Sequence, residues 1–133
     1  MRYKLAEVER FPKPLEAGVL YWSKEFGVSA HLCACGCGDA IKLPIGPLDF
    51  SIRDGPGGPT LRPSVGNWNV CDAHYFITDG EVEWAAKLSP AQIASARAAE
   101  DARREAHYSS PRPSILGRLL SWVMRLLTGD RQR

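Results

Sequence analysis

Over the first 85 residues apolar positions come in short runs and alternations of strand length, and beyond Trp84 the pattern turns helical. Tyr3, Leu5 and Val8 precede Pro12 and Pro14, which predicts a short edge strand and then an extended lead-in. The β-branched and aromatic run at residues 19–22, bounded by Gly18 and Gly27, predicts a second strand. Residues 28–32 predict a third, which runs straight into a group of cysteines. Residues 40–45 and 48–52 read as two short strands divided by Gly46-Pro47, and the glycine- and proline-rich residues 54–59 read as a loop. Residues 74–78 and 81–84 read as a hairpin across Asp79-Gly80.

Ser89-Pro90-Ala91-Gln92 fits a capping box with proline at the first helical position. An alanine-rich helix should run from there to about His107, with few large apolar side chains to bury. Pro111 and Pro113 predict a linker. In residues 115–128, Arg118, Ser121, Arg125 and Thr128 form one polar stripe on an otherwise apolar helix. Such a helix spans ~20 Å, short of the ~30 Å hydrocarbon core of a bilayer. It is suited to a membrane interface, to a partner, or to its own β core. The pattern predicts a mainly β (α+β) fold: a β-rich core over residues 1–88, a helix over 89–108, and a proline linker with a basic amphipathic helix over 109–133.

Charge sharpens this division. Residues 1–100 carry a formal −2 and residues 101–133 a formal +4, every basic residue of the latter being arginine. The net +2 of the chain is too small to argue for nucleic acid. The first ten residues hold no apolar stretch of the secretory kind, so a cytoplasmic setting with reduced thiols is the expectation.

Cys33, Cys35 and Cys37 stand within five residues, and the fourth cysteine is Cys71. Four buried free thiols would be an unusual concentration, and disulfides within the group are poorly suited to a reducing compartment. A closed tetrahedral zinc site, structural in kind, is the sharper reading. Sulfurs around zinc lie ~3.8 Å apart, whereas alternate residues of a strand are ~6.7 Å apart. Residues 33–37 must therefore curl, which Gly36 and Gly38 allow. His31 and His74 are possible substitute ligands, the latter through a C-x-x-H spacing with Cys71.

On residue type alone, Ser64 is a turn serine after a proline and His74 a strand histidine. The chain, however, carries three ordered blocks. These are His31-Leu32-Cys33-Ala34-Cys35-Gly36-Cys37-Gly38, then Pro63-Ser64-Val65-Gly66-Asn67-Trp68, then Cys71-x-x-His74-Tyr75-Phe76-Ile77 with Gly80 and Trp84. Over about residues 18–85 they resemble the small serine protease family of bacterial ubiquitination-like (Bub) operons, long catalogued as a domain of unknown function. The resemblance implies a serine–histidine dyad, with Ser64 as nucleophile and His74 as base. It also implies a ubiquitin-like protein as substrate, trimmed at its C-terminus or released from conjugates.

The chemistry is coherent, since a serine hydroxyl needs a base within ~2.6–3.2 Å. Asp72 and Asp79 are the nearest acids to orient the imidazole. Backbone N–H groups around residues 64–66 and the Asn67 side chain are candidates for an oxyanion hole, and Gly66 admits a close-lying substrate backbone. For Asn67 and Trp68 the alternative is turn capping and core packing. Two other classes compete with a hydrolase: a non-catalytic zinc-stabilised module that binds a protein, and a redox or metal-handling protein built on the cysteines.

Overall fold

Among the residues described by the computed structural model (1–109, 119–120 and 122–124), eight strands form two four-stranded sheets. The first has the order β1 (Lys4–Glu7), β2 (Val19–Ser23), β3 (Val28–Leu32) and β4 (Ala40–Pro44). β1 runs parallel to β2, and the other pairs are antiparallel. The second is an antiparallel meander of β5 (Ser51–Gly55), β6 (Gly58–Asn67), β7 (Ala73–Thr78) and β8 (Glu81–Trp84).

Backbone bonds stitch the sheets at two places. Arg2 bridges Glu81, with the Tyr3 N–H on the Gly80 carbonyl at 2.7 Å and the Val82 N–H on the Met1 carbonyl at 3.2 Å. Ile45 bridges Phe50, whose N–H donates to the Pro44 carbonyl at 3.0 Å. Period-two alternation then turns one face of each sheet inward: Leu20 from the first and Leu61, Val65, Tyr75 and Ile77 from the second are fully buried in one cluster, with Tyr3 beside them. Each such side chain contributes ~1.5–3 kcal/mol by leaving water.

The mainly β class with a helix after it is what the hydrophobic pattern predicted. Asp79 and Gly80, at φ +47° and +81°, make the expected two-residue turn between Thr78 and Glu81. The loop expected at residues 54–59 is instead a tight hairpin. Asp54 pairs with Pro59 and Gly55 with Gly58, leaving Pro56-Gly57 as its turn, and the preceding strand starts at Ser51 rather than residue 48. Proline costs a strand only where its missing N–H would face a partner, and the carbonyl of Pro59 is used by the Gly80 N–H at 2.8 Å.

Helix α1 (Pro90–Ser109) begins at the expected capping box: the Ser89 N–H donates to Gln92 Oε1 at 2.8 Å and the Gln92 N–H to Ser89 Oγ at 3.2 Å. It buries none of its side chains. The chain divides into two compact units, Met1–Ile93 and Ala94–Arg133. The expected linker and the striped helix over residues 115–128 lie for the most part outside the described residues. Leu119, Leu120, Trp122, Val123 and Met124 are described, and they are helical and exposed. No helix among the described residues is long and apolar enough to cross a membrane.

Candidate active site and metal centre

Ser64 belongs to strand β6, not to a turn before it. Leu61 pairs with Ile77 and Val65 with Tyr75, so Arg62, Pro63 and Ser64 together face the single residue Phe76. This three-against-one bulge takes the hydroxyl out of the regular ladder. Pro63 suits the bulge because it brings no N–H that would go unpaired. The Arg62 side chain fills the break, donating to the carbonyls of Leu61 and Ile77 at 2.9 Å each and to Thr78 Oγ1 at 2.8 Å. Its guanidinium also lies 5.3 Å from the Phe76 ring centre.

His74 projects from the adjacent strand on the same face as Ser64 and Gly66. Its Nε2 lies 2.9 Å from Ser64 Oγ, and its Nδ1 lies 2.7 Å from the Ala86 carbonyl oxygen. A carbonyl only accepts, so Nδ1 carries the proton and Nε2 presents its lone pair to the serine hydroxyl. The indole of Trp68 packs on the imidazole, with ring centres 5.0 Å apart. The Ala85 N–H on the His74 carbonyl at 2.8 Å extends the ladder past β8 and carries Ala86 into place.

Neither acid considered from the sequence holds Nδ1. Asp79 Oδ1 takes the Thr60 hydroxyl at 3.3 Å, and the imidazole is held by a main-chain oxygen instead. Asn67 is also committed elsewhere: its amide donates to Asp39 Oδ2 at 2.9 Å, and its carbonyl accepts the N–H groups of Val70, Cys71 and Asp72. Its main-chain carbonyl thus closes the turn that leads to β7, while its side chain is tied to Asp39. The space over Gly66 is occupied by Trp68, whose indole would lie 2.2 Å from an added Cβ, so only glycine fits there.

The four cysteine sulfurs lie within 4.8 Å of one another, and among the described residues no other residue type joins the group. Three of the separations are 3.4, 3.6 and 3.7 Å, close to the ~3.8 Å expected around one tetrahedral ion. Gly36 and Gly38, at φ +86° and +84°, curl residues 33–38, and the Cys37 N–H points at Cys35 Sγ at 3.4 Å. Cys71 arrives from the Asn67-capped turn, so four thiol donors with metal-ligand spacing can hold a metal ion. His31 stays outside this group. It is fully buried, its Nε2 is 2.8 Å from the Tyr75 hydroxyl, and burial lowers its pKa to about 4.

Sequence reasoning missed Arg62 and the Ala86 carbonyl. Every residue carries a carbonyl, so no side-chain motif marks the one that binds an imidazole. A family model described as bacterial ubiquitination-like system serine protease (BubE) matches residues 7–85, which include the serine, the histidine and all four cysteines. No curated protein and no solved structure matches the chain.

Proposed function

The chain belongs to the family of bacterial ubiquitination-like system serine proteases, and from that premise we propose that it hydrolyses peptide or isopeptide bonds with Ser64 as nucleophile and His74 as general base. The observation that carries this reading is the relay from the Ser64 hydroxyl through the imidazole to the Ala86 carbonyl, at 2.9 and 2.7 Å. Ser64 Oγ attacks the scissile carbonyl carbon while His74 Nε2 takes its proton. The imidazolium then protonates the leaving amine, and an acyl-enzyme on Ser64 remains. Water attacks the ester with its proton passing to Nε2, and the serine is regenerated. Ala86 acts on the imidazole alone: it fixes the tautomer and ring orientation, a role filled by a carboxylate in a triad.

The substrate in this reading is a ubiquitin-like protein, cut near its C-terminus either as a precursor or within a conjugate. Cys33, Cys35, Cys37 and Cys71 would hold zinc in this reading, and four thiolates would leave no position on it for a reacting water, so its contribution would be to the fold.

Intact mass after treatment with a fluorophosphonate tests the dyad. One adduct on the wild-type chain, absent from Ser64→Ala and His74→Ala, is the expected result. Equal labelling of wild type and His74→Ala, or labelling of Ser64→Ala, would overturn it.

A further inference from the structure

β6 is ten residues long, but its neighbour β5 covers only half of it. Ser51 pairs with Arg62, and the chain before Ser51 turns off to β4 through the Ile45–Phe50 bridge. Among the described residues, no strand pairs with residues 63–67 of β6 on the side opposite β7. This open edge begins at the bulge that carries Ser64.

The direction of the main-chain groups on that edge follows from alternation. In an antiparallel ladder a residue turns both its N–H and its C=O to the same neighbour. The His74 carbonyl accepts from the Ala85 N–H, so His74 turns its groups toward the β8 side. Its partner Gly66 therefore turns its N–H and C=O away from β7, out of the open edge. Gly66 is exposed, whereas Val65 and Asn67 on either side are buried.

We infer that the open edge of β6 at residues 63–67 docks the substrate as an extended polypeptide segment, which adds a strand to the sheet through the Gly66 main chain and so lays its scissile carbonyl at Ser64. The inference rests on the Ser64–His74 reading. Its occupant is specified by the edge itself: the outward N–H and C=O of Gly66 on an open strand edge recognise another extended backbone, and pairing fixes that backbone relative to the bulge. Continuity with the nucleophile argues for a substrate rather than a lasting partner, because a permanent strand there would cover the hydroxyl. The chemistry selects a chain terminus or an unfolded stretch and rejects a helix or a folded loop, whose main-chain groups are already paired. A tail projecting from a folded ubiquitin-like body has this character.

The test uses the full chain and synthetic peptides of the C-terminal segment of the ubiquitin-like protein, each methylated at one backbone nitrogen. Strand addition predicts a period of two along one flank of the scissile bond. kcat/KM falls about fivefold to tenfold where the lost N–H faced β6 and stays level at the positions between. A flat profile, or one without alternation, overturns the inference while leaving a fluorophosphonate adduct on Ser64 intact. The second readout is amide hydrogen exchange of Gly66 in Ser64→Ala, which should slow when the unmethylated peptide is saturating. Unchanged exchange overturns the docking edge even if the dyad stands. Slowed exchange without any fluorophosphonate adduct on wild type keeps the edge and removes the protease. Concentration-dependent dimerisation that protects Gly66 without peptide would give the edge to a second copy of the chain and overturn the inference as well.

Discussion

The cysteine loop and the serine bulge are both interruptions of strands, and they are built on opposite principles. Residues 33–38 leave β3 as a turn shaped by two glycines at positive φ, and their sulfurs meet Cys71 from far along the chain. The bulge stays inside β6, held on both flanks by ladder pairs and bridged by Arg62. A metal ion supplies its own strong, short bonds, so its ligands can ride on a pliable loop. A nucleophile has no such bond to hold it and must be oriented by the scaffold. In the proposed reading the difference separates what these residues do: the cysteines support the fold through a metal ion, and the serine is nearly free of structural duty.

The sharpest break in that comparison is Ser64→Ala. It should cut peptidase activity by about 10³-fold or more, with a melting midpoint within a few degrees of wild type. A large fall in midpoint would mean that the serine is structural. Cys71→Ser, or treatment with a strong chelator, should do the reverse. It should release the metal, measured as stoichiometric ion in the eluate, and destabilise the chain on the order of 4 kcal/mol in denaturant titration. Retained stability with no metal bound would show that the cluster is only packed thiols.

Arg62→Ala probes the seam between the two kinds of support. It leaves the carbonyls of Leu61 and Ile77 without their charged donor, so it should cost about 2 kcal/mol. Because the bulge loses its brace, fluorophosphonate labelling of Ser64 should slow about tenfold, and Arg62→Lys should restore only part of it. A loss of stability with no change in labelling would mean that the ladder alone orients the serine. The smallest effect belongs to Ser89→Ala, which removes the cap of α1 at about 1 kcal/mol of helix stability, read by circular dichroism. Activity should not change.

Much of the fold is legible from residue type because it depends on local rules. β-Branched and aromatic content between glycines marks β2, Asp79-Gly80 marks the hairpin of β7 and β8 with a turn that needs two positive φ values, and Ser89 with Gln92 marks a helix start. The cysteine group is legible for a similar reason, since three thiols in five residues leave few uses for them. The prolines misled: Pro59 lies within a ladder, and Pro63 places Ser64 in a bulged strand rather than a turn. Whether a proline breaks a strand depends on which way the missing N–H would point, and that is a property of register.

The amino-acid sequence by itself determined which residues are available for chemistry: Ser64, His31 and His74 in recognisable blocks, and a thiol set fit for a metal. The tertiary structure decided how they are used. It gave Nδ1 of His74 to the Ala86 carbonyl, gave Asn67 to Asp39, filled the space over Gly66 with Trp68, and left the second half of β6 paired on its β7 side alone. The reason is physical. Side-chain identity is written residue by residue, but the direction of a main-chain N–H or C=O is set by strand pairing between distant segments, and at this site the main chain does much of the work.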